Sequence, residues 1–296
     1  MHISLNCLFG FLLSPMNLFR YIIALSGLLL TPILAAQDFN APGISSLSTG
    51  GIRSTERNIF SVLSNPAGLT GVTHPGIAVS YIAPYNLHKL SNRSVTGIFP
   101  TKAGSFSLLF TQAGYSLSLI NRYGFAYARK FGSHVSASLM FNGITHRLNG
   151  TDNYGGFFSV IGMQFFPSEI VNIGIVIQNI EQSKIAYPDR KALIPVLYVA
   201  GISWQPLDEL SLKAELEKDQ ELKPQYKFGI EYSPLDLLTL RGGLRGSPAE
   251  ISFGTGLKWQ FVIIDIGISY HQQLGVTSGA SLCFSLIKHK SIKHEQ

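Results

Sequence analysis

The sequence predicts an all-β fold, a transmembrane antiparallel β-barrel of about 14 strands with an N-terminal hatch segment. Three observations predict it: few charged residues, an export signal near the start, and repeated alternation of large apolar with small polar side chains. Charged residues make up 14% of the 296 residues and aromatic residues 11%, whereas roughly 25% of a typical soluble domain is charged. A soluble protein of this composition needs a large core, but a membrane barrel turns its apolar face to lipid.

Residues 1–36 have the layout of a secretory signal peptide. Arg20 gives a basic start, residues 21–34 form an apolar run, and small residues end the segment at Ala36. Met16 is a possible true start, because the residues before it add nothing that a signal needs. A transmembrane helix is the alternative, but the run is short and contains a proline. We therefore expect an exported protein whose mature chain begins near Ala36 or the next residue.

In the mature chain, large apolar residues alternate with small or polar residues in many segments. In one strand, for example, Ile264, Ile266, Ile268 and Tyr270 alternate with Asp265, Gly267, Ser269 and His271. A soluble β-sandwich also alternates, but the number of strands and the aromatic apolar face favour a membrane barrel over residues 76–287. Candidate strands start near residues 76, 93, 105, 122, 134, 155, 171, 196, 210, 225, 237, 250, 261 and 277. Most are about nine to eleven residues long, enough for a tilted strand to cross a bilayer. Residues 182–195 are expected to form an extracellular loop.

Residues 37–75 form a separate N-terminal segment, the predicted hatch. They are rich in glycine, serine and threonine and too polar for a lipid-facing strand. Residues 58–63 are predicted to form a short helix. The segment either plugs the barrel or lies in the periplasm.

The last strand carries a pattern that the barrel assembly machinery recognises. Gly279, Leu282 and Phe284 fit the order polar, glycine, two residues, hydrophobic, one residue, aromatic. The chain continues past Phe284, whereas such signals often end a protein. It ends in a basic tail, residues 288–296, which we interpret as a solvated terminus. No nucleic-acid motif accompanies the tail, so no nucleic-acid partner is expected.

The sequence carries no pattern of a catalytic, cofactor or metal site. Motifs of the Gly-x-Ser-x-Gly, phosphate-loop and His-Glu-x-x-His types are missing, and the eight histidines are scattered. Cys7 lies in the expected signal peptide, so Cys283 stands alone and a disulfide framework is excluded. Glycine pairs such as Gly242 and Gly243 are interpreted as strand bends. We therefore do not expect an enzyme.

Charged residues recur on the predicted inward face of neighbouring strands. They are Lys213, Glu215, Glu217, Lys227, Glu231, Arg241, Arg245, Lys258 and Asp265. A paired network that neutralises charges in the lumen is the favoured interpretation, because a lone buried charge is costly. A polar translocation path is the alternative. Since the inward face consists mostly of small and charged residues, the sequence argues against an apolar slot in the lumen.

Several motifs together resemble the PorV/PorQ-type outer-membrane proteins of Bacteroidota, in the FadL-like barrel superfamily. The N-terminal motif comprises Gly50, Gly51, Asn65, Pro66, Ala67, Gly68 and Leu69. A glycine, an apolar run and Gln-Asn follow at residues 174–179, and further motifs at 228–232, 240–244 and 252–257 keep the order of that group. The resemblance implies a fourteen-stranded barrel with a hatch in its lumen. It also implies one of two roles: an accessory role in type IX secretion, or transport of hydrophobic solutes. The mature chain is shorter than these proteins, which indicates trimmed extracellular loops.

The sequence thus predicts a non-enzymatic protein of the bacterial outer membrane, acting through protein contacts as an accessory component of type IX secretion. One alternative is a FadL-like channel for hydrophobic small molecules, and another is a soluble periplasmic β-protein. The expected partners are outer-membrane lipid, the barrel assembly machinery and components of type IX secretion. No cofactor is expected.

Overall fold

The computed structural model describes residues 43–149, 153–188, 191–246 and 249–286. The predicted signal peptide and basic tail lie outside these residues. Fourteen antiparallel strands form one closed barrel, and two further short strands form a separate sheet. The predicted fold class is confirmed.

The strands follow one another around the barrel in chain order. They are β1 Gly76–Ala83, β2 Asn92–Thr101, β3 Gly104–Tyr115, β4 Ser118–Phe131, β5 Val135–Leu148, β6 Asn153–Ser168, β7 Val171–Gln178, β8 Lys184–Ala186, β9 Lys191–Leu193, β10 Leu197–Leu207, β11 Leu210–Asp219, β12 Gln225–Leu235, β13 Leu238–Arg245, β14 Glu250–Trp259, β15 Val262–His271 and β16 Gly275–Ser285. Only β8 and β9 lie outside the barrel, so β7 pairs with β10. Pairing of β1 with β16, from Gly76 with Ser285 to Ala83 with Ser278, closes the barrel and leaves no free sheet edge.

The two ends of the barrel differ in their connections. At the end where β1 begins and β16 ends, the turns are short, as at residues 132–134 and 169–170. We call this the short-turn end. The opposite, long-loop end carries the connections 84–91 and 179–196. Transmembrane barrels place short turns in the periplasm and longer loops outside the cell.

Side chains on the barrel wall alternate as the sequence predicts. Leu108 and Phe125 point outward and are 65% and 47% exposed, whereas their chain neighbours Ser107 and Ala126 point inward and are buried. The period of two follows from the pleat, which sends successive side chains to opposite faces. The outward face is a continuous apolar surface, and the inward face is in contact with the N-terminal segment.

The described part of the N-terminal segment, from residue 43 onward, lies inside the barrel. It contains a helix, α1, at Ile44–Ser48 and two 3₁₀ helices, Ile59–Leu63 and Pro66–Gly71. Helix α1 contacts β13 to β16, and the 3₁₀ helices contact β1 to β6. Asn58 caps the first 3₁₀ helix by accepting a hydrogen bond from the Phe60 amide. No helix in the described part of the chain is long and apolar enough to cross a bilayer.

The connection at residues 182–195, of which 189 and 190 are not described, is folded rather than irregular. It contains the strands β8 and β9, which pair from Lys184 with Leu193 to Ala186 with Lys191. Ile185 and Ile194 are buried at its base. We call residues 183–194 the luminal hairpin.

The outward face gives a first prediction. Leu108→Arg should lower the stability of the bilayer-folded barrel by about 2–4 kcal/mol, because a charge there faces hydrocarbon. The same change at Leu222, in the connection between β11 and β12, should have little effect. Urea unfolding in phosphatidylcholine vesicles, followed by heat-modifiable gel migration, measures both variants. Equal stability of the two variants would show that the wall does not face lipid.

Candidate functional site: the hatch and its seat in the barrel

The hatch is fixed in the lumen by one buried carboxylate, that of Glu215 on β11. Its Oε2 atom accepts hydrogen bonds from the backbone amides of Arg53 and Ser54, at 2.9 and 2.7 Å, and from the Ser54 hydroxyl at 2.7 Å. Its Oε1 atom lies 2.9 Å from Nζ of Lys227, and the Glu215 side chain is wholly buried. Hydrogen bonds to an ionised carboxylate are stronger than neutral ones. Glu215 therefore joins the hatch backbone to the barrel wall.

The Lys227 ammonium extends this contact. It also lies 2.7 Å from Glu217 and donates to the Gly51 carbonyl at 2.9 Å. Glu217 in turn accepts from the Arg53 guanidinium at 2.6 Å. A hatch side chain thus completes a charge cluster whose other members are on the wall.

A second branch of ion pairs starts from Glu56 of the hatch. Lys213 lies 3.1 Å from Glu56 and 3.0 Å from Glu231. Arg241 joins Glu231 at 3.1 Å to Asp265 at 2.6 Å. These residues lie on β11, β12, β13 and β15, so four strands are linked to one hatch residue through charge. Every one of these charges has an opposite partner, which offsets the free energy of burying it.

Most charged residues that were predicted from the sequence to face the lumen belong to these clusters. Lys227, Glu231, Arg241 and Asp265 do so, whereas Arg245 is paired separately with Glu250. The prediction for Lys258 is wrong. Although Lys258 has inward parity, it is exposed near the end of β14, and it forms no ion pair within the described residues.

Sequence reasoning missed the two hatch charges. Arg53 and Glu56 belong to a segment in which, from residue 43 to residue 72, the only other charge is Arg57. The signal that could have identified them is their isolation: charged residues are rare in this glycine- and serine-rich segment, so the few that occur are candidates for ion pairs with the wall.

Side-chain amides of the wall bind the hatch carbonyls between the charge clusters. Gln164 Nε2 donates to the carbonyls of Ser54 and Glu56 at 3.1 and 2.9 Å. Asn172 Nδ2 donates to the Thr55 carbonyl at 3.0 Å. Backbone groups in a lumen without regular pairing need such partners, because an unsatisfied buried carbonyl costs free energy. No sequence motif predicted this role for Gln164 and Asn172.

Inward-facing glycines make room for the hatch. A β-carbon built at Gly174 would lie 2.1 Å from the Ser54 carbonyl oxygen, and one at Gly243 would lie 2.1 Å from the Gly50 nitrogen. Further glycines for which a β-carbon would overlap the hatch are Gly162, Gly201, Gly229, Gly254, Gly267 and Gly279. Because Gly243 has no side chain, the hatch can contact the strand here, and the interpretation of the glycine pair as a strand bend stays a prediction.

The hatch motif places its glycines where the chain turns or touches itself. Gly50 and Gly51 have φ values of 75° and 80°, in the left-handed region that favours glycine. A β-carbon at Gly68 would lie 1.9 Å from the Glu56 carbonyl oxygen. Leu69 is wholly buried among apolar side chains.

Asn65 is the polar centre of the same motif. Its Oδ1 atom accepts from the Ala67 amide at 3.2 Å, and its Nδ2 atom donates to the carbonyls of Ser54 at 2.6 Å and Met163 at 3.2 Å. Pro66 begins the 3₁₀ helix, where its fixed φ fits. The contacts of Asn65 fix one part of the hatch to another and to β6.

The lumen wall also contains an apolar sector. Its inward-facing apolar side chains are Leu109, Ile120, Met140, Ile144, Phe158, Val160 and Val176, which belong to one buried cluster with the hatch residues Phe60, Val62 and Leu63. Arg122 is buried within this sector, where its Nε atom donates to Asn142 Oδ1 at 2.8 Å and its guanidinium carbon lies 5.3 Å from the centre of the Phe158 ring. The expectation of a lumen lined mostly by small and charged residues is therefore wrong for this side. These apolar residues were overlooked because they are interspersed with inward-facing serines and Asn142 on the same strands.

The luminal hairpin covers the apolar sector at the long-loop end. Ile185 and Ile194 are 2% and 1% exposed, and both would contact a β-carbon at Gly156. Asn179 Nδ2 donates to the Ile194 carbonyl at 2.6 Å. The apolar sector thus lies between this hairpin and the hatch.

At the short-turn end the hatch borders a polar cavity of about 330 Å³. Its lining includes Glu56, Lys213, Glu231 and Arg241 of the charge network and the turn residues Asp208 and Glu209. Within the described residues, no group of three or more histidine, cysteine or acidic side chains could hold a metal ion.

The predicted assembly signal is divided between the two faces of β16. Gly279 faces inward, where a β-carbon would lie 2.6 Å from the Ile44 side chain. Leu282 and Phe284 have outward parity and pair with Val79 and Ile77 of β1. Recognition by the assembly machinery stays a prediction.

The fold is similar to that of solved outer-membrane barrels. The toluene transporter TbuX of Ralstonia pickettii aligns with a TM-score of 0.63 and 12% identity, over 85% of this chain and 100% of TbuX. The P. putida toluene transporter TodX aligns with a TM-score of 0.62 and 10% identity, over 85% of this chain and 100% of TodX. Omp33 of Acinetobacter baumannii aligns with a TM-score of 0.50 and 9% identity, over 72% and 98% of the two chains. No protein-family model and no curated protein matches the sequence.

These similarities define the class of fold: a closed fourteen-stranded barrel of the kind found among outer-membrane proteins. The finer resemblance to PorV/PorQ-type proteins stays a prediction.

The geometry predicts that Glu215→Gln loosens the hatch. The substitution keeps the size of the side chain but leaves Lys227 and Arg53 to share the single charge of Glu217, at a cost of up to about 3–5 kcal/mol, the scale of a broken buried pair. Trypsin should then cleave after Arg53, which is buried in the native protein. Glu209→Gln, in an exposed turn next to the same strand, is the matched control. Equal resistance of both variants would contradict the role of Glu215.

The glycine seat gives a prediction with a control one residue away. Gly243→Ala should lower stability by about 1–3 kcal/mol through overpacking against the hatch. Gly242→Ala should be tolerated, because its β-carbon would lie 3.4 Å from the Ile230 side chain. The temperature at which the barrel loses its fast gel migration compares the two. If Gly242→Ala lowered the stability more than Gly243→Ala did, the hatch would not lie against the inward face of Gly243.

Proposed function

We propose that this protein is a non-enzymatic outer-membrane barrel that carries small apolar molecules, with the hatch as its gate. The observation that carries the proposal is the division of the lumen: ion pairs hold the hatch on one side, and a mainly apolar sector, with Arg122 buried within it, faces the hatch on the other. An apolar solute would find a favourable environment only along that sector.

The outward face supports a location in a membrane. Large apolar side chains such as Phe99, Leu108, Phe141, Phe253 and Ile266 are each more than half exposed. A monomer in water rarely exposes contiguous apolar patches beyond a few hundred Å². This argues against the soluble periplasmic alternative. The short turns at the end where both barrel termini lie, and the similarity to outer-membrane barrels, favour the outer membrane.

The hatch contacts suggest how a gate would work. Among the hydrogen bonds of the described residues, none joins a side chain of the 3₁₀ helix Ile59–Leu63 to the wall, so apolar packing holds it there. The region around Arg53 and Ser54 is fixed by the Glu215 carboxylate. We propose that the 3₁₀ helix Ile59–Leu63 yields to let a solute pass, while the charged side keeps the hatch attached. The toluene transporters TbuX and TodX are the solved proteins with this fold that point to small apolar cargo.

The predicted accessory role in type IX secretion is the second candidate. The order of the motifs from residue 50 to residue 257 supports it. So does a lumen occupied by the hatch, since a barrel that acts by protein contact needs no open passage. Cross-linking in cells, followed by purification of the barrel, tests this role. Recovery of secretion components would favour it. Recovery of none, together with hydrocarbon binding by the purified barrel, would remove it.

The apolar sector gives a test of transport. Met140→Gln should lower uptake of radiolabelled toluene into proteoliposomes by about tenfold, because it adds a second polar group beside Arg122, whose guanidinium lies 3.9 Å from the Met140 sulfur, and makes the path less favourable for an apolar solute. Met163→Gln is the matched control, since Met140 is wholly buried in the lumen and Met163 is 47% exposed on the outer face. Arabinose uptake measures leakage through a damaged barrel.

Two outcomes would contradict the proposal. One is toluene uptake by wild-type proteoliposomes no faster than in protein-free vesicles. The other is an equal loss of uptake in both methionine variants. Absence of the protein from the outer-membrane fraction would refute the location independently.

A further inference from the structure

The outer wall of the barrel carries a basic groove at the long-loop end. The groove has a volume of about 390 Å³. Its lining residues are His88, Lys89, Arg93, Gln112, Gly114, Tyr115, Ser116, Leu119 and Arg147. Three of them carry full positive charges, and none is acidic. We call this surface the basic groove.

Strand parity places the groove outside the barrel. On β2, Asn92 and Ser94 are buried toward the lumen, while Arg93 and Val95 are exposed on the other face. Arg93 pairs in register with Tyr81 of β1 on one side and with Gln112 of β3 on the other. The groove is therefore separate from the lumen and from the hatch.

Local structure holds the charges in position. The connection from β1 to β2 forms a 3₁₀ turn at His88–Leu90, and the Gly114 amide donates to the Ser91 carbonyl at 3.1 Å, which ties the turn to β3. His88 Nδ1 lies 3.1 Å from the Tyr81 hydroxyl. The Lys89 ammonium lies 5.5 Å from the centre of the Tyr115 ring. The groove is thus built by the folded connection as well as by the strands.

Within the described residues, these cations have no acidic partner. From Arg57 to Thr151 the sequence contains no aspartate or glutamate. The ion pairs within the described residues all involve the hatch or strands β11 to β14, and Lys89, Arg93 and Arg147 take part in none of them. Because like charges repel, a concentration of cations without counter-charges is best stabilised by an anion from outside the chain.

An apolar wall lies directly below the groove. The outward row next to Arg93 contains Val95, Phe110 and Tyr123, which are neighbours in register. The next rows toward the short-turn end contain Leu108, Phe125 and Phe141, and then Phe99, Phe106, Tyr127 and Leu139. At about 3.4 Å per residue, these rows extend about 20 Å along the strands below Arg93, which is comparable with an acyl chain. A head group in the groove would therefore have its acyl chains against this wall.

We propose that the basic groove binds the phosphate head group of a lipid in the outer leaflet, with the acyl chains packed on the wall below. The ligand class is a phosphorylated glycolipid of the lipid A type. Guanidinium groups such as those of Arg93 and Arg147 bind phosphate oxygens in a bidentate manner, and Lys89 adds a point charge. The proposal rests on the outer-membrane location proposed above, and it is independent of hatch movement and of transport.

Native mass spectrometry of the full mature chain in detergent tests the proposal. The probes are doubly phosphorylated lipid A, the same lipid without its phosphates, phosphatidylcholine, and inorganic phosphate as a competitor. The wild-type barrel should bind doubly phosphorylated lipid A in preference to the other two lipids. Binding should also weaken as the salt concentration rises, because exposed charges are screened.

A triple variant and a matched control locate the site. Lys89→Gln, Arg93→Gln and Arg147→Gln together should weaken lipid A binding by about tenfold, the scale of three exposed charge contacts. Lys102→Gln, Arg129→Gln and Lys130→Gln remove three exposed charges at the short-turn end of neighbouring strands and should leave binding unchanged. Heat-modifiable gel migration confirms that both variants are folded.

Several outcomes would overturn the proposal. They are equal binding of dephosphorylated lipid, equal loss in the two triple variants, and complete competition by millimolar inorganic phosphate, which would identify a free-phosphate site. The binding assay is separate from the uptake assay, so a barrel that binds lipid A without carrying toluene would refute only the transport proposal. A barrel missing from the outer-membrane fraction would refute the location on which both depend.

Discussion

The carboxylate of Glu215 joins two structures that would otherwise be independent. One oxygen accepts three hydrogen bonds from Arg53 and Ser54 of the hatch, and the other is paired with Lys227 of the wall. A buried carboxylate is stable only when such partners satisfy it. The barrel therefore needs the hatch to neutralise the inner surface of β11 and β12, and the hatch needs the barrel for a polar environment. The inward-facing glycines follow from the same constraint, since the hatch backbone has to approach the wall this closely.

With the hatch held from one side, the lumen is asymmetric. Ion-paired residues lie on β11 to β15, whereas mainly apolar residues of β3 to β7, with Arg122 among them, face the hatch from the opposite side. Ion pairs in a low-dielectric environment resist separation, but apolar contacts are non-directional and can be exchanged for a solute of similar chemistry. This difference is the reason why the proposed transport is assigned to the apolar side of the lumen. The outer wall is asymmetric as well, because the acid-free strands β1 to β5 carry the basic groove.

The sequence predicts the barrel well because strand alternation is local. Fourteen strands form, and most begin within a few residues of the predicted starts. The site is predicted less well because its contacts join residues that are distant in the chain. Glu215 meets Ser54 and Gly243 meets Gly50, and no periodicity encodes either pair. Met140 shows the same limit. In the sequence it is one large side chain among inward-facing polar residues, and only the structure shows that it belongs to the buried cluster that includes Phe60 and Leu63 of the hatch.

Hydrogen exchange of the wild-type barrel in lipid nanodiscs tests the central claim most directly, that the hatch is an integral part of the folded barrel. The amides of Arg53 and Ser54 should exchange as slowly as those of the central strands, because opening them breaks the contacts of a buried carboxylate. Residues 220–224, an exposed connection without regular structure, provide the fast reference. Exchange of Arg53 and Ser54 at the rate of that connection would contradict the account, because a hatch that is open most of the time cannot be held by Glu215.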